Sequence, residues 1–326
     1  HCTFLPLLKT QTLYVSLGIC AVLAAVALFS LWKVLKNPTV IRLGSFMWNE
    51  KDFCRGWLIT GTTGSGKTSA GLNKILDELC RNSPEWGGFV IDDKGLFWET
   101  VQKILKKHGL EDKLVLLQLQ DNQTDTINFL GDTSIPSSTY AKILCDVAKT
   151  GGQESAGDGF FATQAQTHIE NFLELIRMFP GNITLGKAFE LLTSKANFNA
   201  VTSNLFQKEK ESLSLQKAFE ELWAQPAGQL GGVLGNIHNY LFPFRKQPIL
   251  DLINAKKPSH SIADIERGKI LCVSLPASLE AERRYIHTLL KMCFYLQALS
   301  RFSRSSKVRK QSNLLVFVAD EAQQIV

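Results

Sequence analysis

Residues 55–79 read R-G-W-L-I-T-G-T-T-G-S-G-K-T-S-A-G-L-N-K-I-L-D-E-L, and this stretch decides the fold class. Residues 55–60 are apolar enough for a short buried strand, a glycine-rich turn follows, and residues 69–79 have the apolar spacing of a helix. Between that strand and that helix stand Gly61, Thr62, Thr63, Gly64, Ser65, Gly66, Lys67 and Thr68, a full match to G-x-x-x-x-G-K-[ST] in the context its mechanism requires. The residue types follow from the chemistry. Glycines let the backbone curl so that successive N–H groups and the helix N-terminus cradle phosphates; Lys67 reaches the β- and γ-phosphates, and Thr68 supplies a hydroxyl to magnesium. ATP and Mg²⁺ are the cofactors this pattern implies. A simple glycine turn is the competing reading, and the strand-loop-helix placement argues against it.

Working outward, a second strand is expected at residues 88–92 (G-F-V-I-D), a helix around 101–108, and a third strand at 113–119 (K-L-V-L-L-Q-L). The order β-α-β-α-β predicts an α/β fold with a parallel sheet. Residues 136–263 change character to helical runs at 140–149, 161–178, 185–193, 213–224 and 227–241, an all-α insertion. Strand character resumes at 269–275, a long helix follows at 279–302, and residues 313–319 (N-L-L-V-F-V-A) form a last buried strand ending in Asp320 and Glu321. That ending is a Walker B pattern: Asp320 holds the water shell of magnesium and Glu321 polarises the attacking water, the second carboxylate being the mark of a motor ATPase rather than a small kinase. The expected organisation is an anchor over 1–36, the first part of a nucleotide-binding domain over 37–135, the insertion over 136–263, and the second part over 264–326.

Residues 13–32 (L-Y-V-S-L-G-I-C-A-V-L-A-A-V-A-L-F-S-L-W) hold no ionisable side chain except Tyr14 and Cys20. As a helix they reach about 30 Å, the thickness of a bilayer's hydrocarbon core, which predicts a transmembrane helix. The competing readings are a signal peptide, whose apolar region is normally shorter, and a buried core helix. Lys33, Lys36 and Arg42 follow the span and only Lys9 precedes it, so the chain after residue 33 is expected in the cytoplasm.

Composition bounds the rest. The 326 residues are 45% apolar and 20% charged, which excludes intrinsic disorder and a disulfide-stapled miniprotein. The net charge of +6 permits an anionic partner without requiring one. Seven cysteines, none in C-x-x-C, suggest neither a disulfide framework nor a zinc site. Residues 301–310 (R-F-S-R-S-S-K-V-R-K) carry basic side chains and no acidic ones, so they read either as a contact to a phosphate backbone or as a solvated loop. Asp92-Asp93-Lys94-Gly95 reads as charge on the sheet edge of the phosphate loop or as a strand-ending turn. His168, His238 and His287 lack ligand spacing and read as structural.

The order of anchor, G-T-T-G-S-G-K-T, V-I-D-D-K-G, helical insertion, C-V-S-L-P (272–276) and V-A-D-E-A-Q (318–323) resembles the type IV coupling proteins of conjugation and type IV secretion, the TraG/TraD-type ATPases related to the FtsK and HerA translocases. Asn128 in I-N-F-L and residues 158–161 (D-G-F-F) are smaller echoes of the same family. The resemblance covers essentially the whole chain, with the two Walker motifs as its specific part. Where the family has Asp-Pro-Lys-Gly-Glu, Asp93 and Leu96 stand here, and of the two membrane helices usual in the family one is seen.

The resemblance implies a RecA-like P-loop NTPase domain with an all-α domain inserted and a transmembrane helix before it. It further implies a homo-hexameric ring at the bacterial inner membrane, its catalytic part cytoplasmic. Such a ring receives relaxase-bound single-stranded DNA and uses ATP to feed it to the components of a type IV secretion channel. A secretion ATPase for protein cargo, and a recruitment platform in which ATP only holds the ring together, are the alternatives. Sensor strands and a trans-acting arginine are expected after Val326, which leaves an exposed apolar sheet edge beside residues 314–318.

Overall fold

The computed structural model describes residues 18–29, 38–62, 64–119, 124–151, 159–209 and 212–321. The chain separates into two compact units, residues 1–84 and 85–326.

The first unit begins with helix α1 (18–29). Its apolar side chains face outward, Leu28 being 66% exposed and Val22 63%. Among the described residues no helix is long and apolar enough to cross a membrane. The expected span over 13–32 is therefore unsupported as a span, and its two ends, 13–17 and 30–32, lie outside the described residues. An antiparallel hairpin follows, β1 (Thr39–Leu43) and β2 (Phe46–Asn49), turning at Gly44 with φ 61°. Asn49 ends β2 and caps the short helix α2 (Glu50–Phe53), its side-chain oxygen accepting the Asp52 N–H at 3.0 Å.

The strand expected at residues 55–60 is not formed. No ladder pairs these residues among those described, and Leu58, read as buried, is 84% exposed. Apolar residues specify a strand only where a neighbouring strand takes up their N–H and C=O groups. Trp57 packs instead edge-on against Trp48 at 4.9 Å and against Phe53 at 6.0 Å. The helix after the phosphate loop starts as a π-helical turn over Lys67–Leu72 and continues as α3 (Asn73–Asn82). Buried Ile75, Leu76 and Leu79 form its inner face, and the Asn82 side chain donates to the Val40 carbonyl of β1 at 3.1 Å.

The second unit is built on four parallel strands: β3 (Gly87–Asp92), β4 (Leu114–Gln118), β5 (Ile270–Ser274) and β6 (Leu315–Ala319), in the order β4-β5-β3-β6. Val90 stands level with Cys272 on one side and Val318 on the other. The parallel α/β architecture is as expected. Every residue of β3 and β5 is buried, which explains their unbroken apolar reading. Gly88 allows the close strand approach, since a Cβ there would stand 2.2 Å from the Val316 carbonyl oxygen. β6 pairs with β3 alone among the described strands.

Helix α4 (Phe97–Lys107) connects β3 towards β4. Between β4 and β5 the chain forms α5 (Ser137–Thr150), α6 (Gly159–Met178), α7 (Ala188–Thr193), α8 (Lys195–Lys208), α9 (Leu213–Trp223), α10 (Ala227–Tyr240) and α11 (Gln247–Ile253). Helix α12 (Glu280–Ser300) then covers the sheet, and the short α13 (Ser306–Lys310) precedes β6. The fully buried Tyr285 fastens α12 to the helical segment, its single hydroxyl hydrogen shared between the carbonyls of Tyr240 at 2.7 Å and Leu144 at 3.2 Å. Burying a side chain of this size contributes about 1.5–3 kcal/mol, and the two acceptors keep its hydroxyl from cancelling that gain.

Candidate functional site

The phosphate-loop residues lie in the first unit. Gly64 and Gly66 take φ 79° and 83°, left-handed values that a side chain would strain. Gly66 caps the π-helical turn in that conformation, and its carbonyl accepts the Ala70 N–H at 2.7 Å. The Ser65 N–H donates to the Thr62 carbonyl at 3.2 Å, closing the loop on itself. The Lys67 ammonium folds back over this curl and donates to the carbonyls of Gly61 at 2.7 Å and Thr62 at 3.0 Å. A cation held over a ring of glycines at the start of a helix is the arrangement a polyphosphate needs. Thr68 is partly buried one residue further on, where its hydroxyl could reach a phosphate-bound cation. Thr63 lies outside the described residues.

Asp320 and Glu321 lie in the second unit, at the carboxyl end of β6. Asp320 is buried, and its N–H donates to the Ile91 carbonyl of β3 at 3.3 Å. The end of β3 therefore stands beside the end of β6 and brings Asp92, Asp93 and Lys94 to the same edge. Glu321 has φ 55°, the one left-handed value on a non-glycine residue among those described, a conformation that costs about 1–3 kcal/mol. Lys94 forms an ion pair with its carboxylate. That hydrogen bond raises the Lys94 pKa above its ordinary value.

Asp92 and Asp93 have separate jobs. The Asp92 carboxylate accepts the Gly95 N–H at 2.8 Å, the Trp98 N–H at 3.1 Å and the Ser274 hydroxyl at 3.1 Å, so it closes the turn and caps α4. The turn reading is correct for Asp92. Asp93 meets Arg283 of α12, whose guanidinium stands 3.2 Å from the carboxylate and donates to the Asp93 carbonyl at 2.6 Å. Burial raises the Asp93 pKa; Asp92 and Glu321 add to that, and Arg283 opposes it. His287, one turn on from Arg283, is buried with its Nδ1 3.9 Å from the same carboxylate. Burial pushes its pKa down to about 3, with Arg283 acting in the same direction, so it is a neutral imidazole and not a counter-ion.

A cation bound at this edge would find Asp320 as its carboxylate ligand. Among the described residues no three His, Cys, Asp or Glu side chains converge as a self-sufficient metal cage. Magnesium does not require one, because one or two carboxylates with substrate phosphates hold it. The donor set fits Mg²⁺ with a nucleotide.

The basic run over 301–310 departs from its reading as a surface contact, because two of its members are consumed internally. Arg301 grips Glu266 through Nε at 3.0 Å and Nη2 at 2.8 Å, and also donates to the Asn313 carbonyl at 2.6 Å. Arg304 adds a contact to Glu266 at 3.0 Å. Burial works against the charge of Glu266, but hydrogen bonds from Arg301, Arg304 and Gln297 outweigh it and lower its pKa. Lys307, Arg309 and Lys310 on α13 remain exposed.

Lys94 and Arg283 are the site residues that sequence reasoning did not assign. The signal for Lys94 was present, a cation directly after the acidic end of a strand. Arg283 and His287 show only the i, i+4 spacing of a helix face. No family model and no curated protein matches the chain.

Proposed function

We propose that the chain is a P-loop ATPase that uses ATP and Mg²⁺ to move a polymeric substrate. In this reading it is a RecA-like domain carrying an inserted all-α domain, held at the bacterial inner membrane as a homo-hexamer with its catalytic part in the cytoplasm. The substrate is relaxase-bound single-stranded DNA passing to a type IV secretion channel. One observation carries the proposal: the loop residues 61–62 and 64–68, with Gly64 and Gly66 left-handed and the Lys67 ammonium held over the curl at the start of a helix. The paired carboxylates Asp320 and Glu321 at the end of a parallel strand support it, and the exposed apolar helix α1 favours an anchor. In this reading Lys67 neutralises phosphate charge and Thr68 offers its hydroxyl to a phosphate-bound cation; at the end of β6, Asp320 is a carboxylate for a cation and Glu321 accepts the proton of the attacking water.

The test is MgATP binding and turnover by the full-length protein, with and without single-stranded DNA. DNA-stimulated hydrolysis supports the motor, whereas hydrolysis indifferent to DNA leaves an ATPase for protein cargo.

A second reading, the recruitment platform, has one observation in its favour. A cavity of about 820 Å³ lies in the helical segment, walled by Leu173, Ile176 and Leu250 and edged by Arg177, Asp251 and Lys256. This reading expects normal export from a variant that binds ATP but does not hydrolyse it.

A further inference from the structure

The proposed mechanism uses every acidic group at the sheet edge except those that hold the turn, yet it has no task for Lys94. Its position demands one. Lys94 stands two residues beyond the end of β3, in a turn fixed on both sides: Asp92 ties down the Gly95 and Trp98 N–H groups, and Arg283 holds the Asp93 carbonyl. From that anchored base its ammonium pairs with the carboxylate of Glu321, on the neighbouring strand end. A carboxylate in contact with an ammonium is a weaker proton acceptor than a free one, because its lone pairs and charge are already engaged. Glu321 held this way is poorly set to polarise water.

The pair is also easy to break. The Lys94 side chain is 57% exposed and that of Glu321 25%, so both ends keep access to solvent and the interaction is worth little. A phosphate carries more charge and more acceptor atoms than a single carboxylate, and ligands of open α/β sheets bind at the carboxyl ends of strands. We propose that Lys94 is an exchangeable counter-ion: it holds Glu321 back in the nucleotide-free protein, and a nucleotide phosphate arriving at this edge takes the ammonium and releases Glu321 for catalysis. Lys94 then restrains Glu321 before the nucleotide arrives and binds phosphate afterwards. The inference rests on the ATPase reading.

The exchange makes binding and the ion pair compete, and a double-mutant cycle measures that competition. The readout is the Kd of full-length protein for the non-hydrolysable analogue adenylyl-imidodiphosphate with Mg²⁺. Glu321→Gln removes the charge that occupies Lys94, so the analogue should bind about threefold tighter than to wild type. In the Lys94→Met background the same Glu321→Gln change should give no gain, and Lys94→Arg should restore it. Lys94→Met alone should raise KM for MgATP about tenfold while kcat stays at or above wild type, a split that general damage to the fold would not produce. An equal gain from Glu321→Gln with and without Lys94 would mean simple repulsion between carboxylate and phosphate, and would overturn the exchange. So would a fall in kcat for Lys94→Met with KM unchanged. Failure of wild type to bind the analogue at all would instead remove the ATPase reading itself.

Discussion

The two ends of the central sheet are both crowded with charge, and they handle it in opposite ways. At the amino end, Glu266 is surrounded by Arg301, Arg304 and Gln297, and Asn313 accepts two further hydrogen bonds from Arg301. At the carboxyl end, Lys94 pairs with Glu321 and Arg283 with Asp93, while the Asp92 carboxylate accepts from backbone N–H groups and the Ser274 hydroxyl. The first cluster is saturated in the sense that both oxygens of its carboxylate accept from guanidinium or amide N–H groups. The second is more open, the Lys94 side chain being 57% exposed in its pair with Glu321. Charge density alone therefore does not distinguish the two ends; how tightly the charges close on one another does.

Breaking the comparison at its reactive end should have the largest effect. Glu321→Gln in the full-length protein should lower ATP turnover about 10²–10⁴-fold, the usual range for loss of a general base, while nucleotide binding survives. Lys67→Ala should instead weaken nucleotide binding about 10–100-fold, the loss of charge-assisted contacts to phosphate. Equilibrium binding of a fluorescent ATP analogue and steady-state phosphate release separate the two. Equal loss of binding in both variants would remove Glu321 from its catalytic role.

Breaking the saturated end should affect stability and leave nucleotide affinity alone. Glu266→Ala strands Arg301 and Arg304 in a half-buried pocket, so unfolding in urea should show a loss of about 3–5 kcal/mol, the range for a buried pair deprived of one member. Glu266→Gln should cost less, because it still accepts from both arginines. A change in nucleotide affinity without a change in stability would mean that the two ends of the sheet are not separate in function.

Which parts of this were legible follows from how local each signal is. The G-x-x-x-x-G-K-T pattern is legible because its residues are contiguous, and the left-handed turns at Gly64 and Gly66 match its glycine positions. Strands β3 and β5 were legible because burial on both faces leaves an unbroken apolar run, and the partly buried β6 carries such a run as well. The hairpin of β1 and β2 was missed since Arg42 and Asn49 interrupt its short apolar pattern. Helix α8 (K-A-N-F-N-A-V-T-S-N-L-F-Q-K) was missed because its polar residues dilute the helical period, although Phe198, Thr202 and Phe206 at i, i+4, i+8 do bury one face. The expected strand over 55–60 failed for the converse reason: its residue types were right, but a strand is completed by its neighbours. The pairings that define the two sheet ends, Lys94 with Glu321 and Glu266 with Arg301, join residues far apart in sequence, and no spacing rule reaches them.

The comparison also carries a pH dependence. His287 near the reactive end and His168 in α6 are both buried with neither ring nitrogen hydrogen-bonded, and burial lowers their pKa values to about 3 and about 4. Each is neutral when folded and free to take up a proton when unfolded, so the unfolded state binds more protons as pH falls below about 6.5. Stability is therefore complete above that pH and declines through the acid range until the folded-state values are reached. Between pH 7 and pH 5 each histidine should remove about 2 kcal/mol. His168→Leu should flatten that slope by its own share in thermal melts recorded across the range, and an unchanged slope would mean that His168 reaches solvent in the folded protein.

The smallest expected effect sits on the surface of the saturated end. With Arg301 and Arg304 committed to Glu266, and Arg309 donating to the Phe302 carbonyl at 3.1 Å, Lys307 and Lys310 are the members of the basic run left to meet a phosphate backbone. If α13 touches single-stranded DNA, replacing both lysines with Ser should lower affinity to a similar degree for every sequence. It should also reduce the slope of log K against log salt by about 1.4, roughly 0.7 for each single-strand phosphate no longer neutralised. Replacing Arg301 and Arg304 as well should add a loss of stability and no further change in slope, since those side chains never reached solvent charge. Fluorescence anisotropy of a labelled oligonucleotide between about 50 and 200 mM salt measures the slope. A slope identical to wild type in the double lysine variant would return the whole run to structure and place DNA, if bound, on another surface.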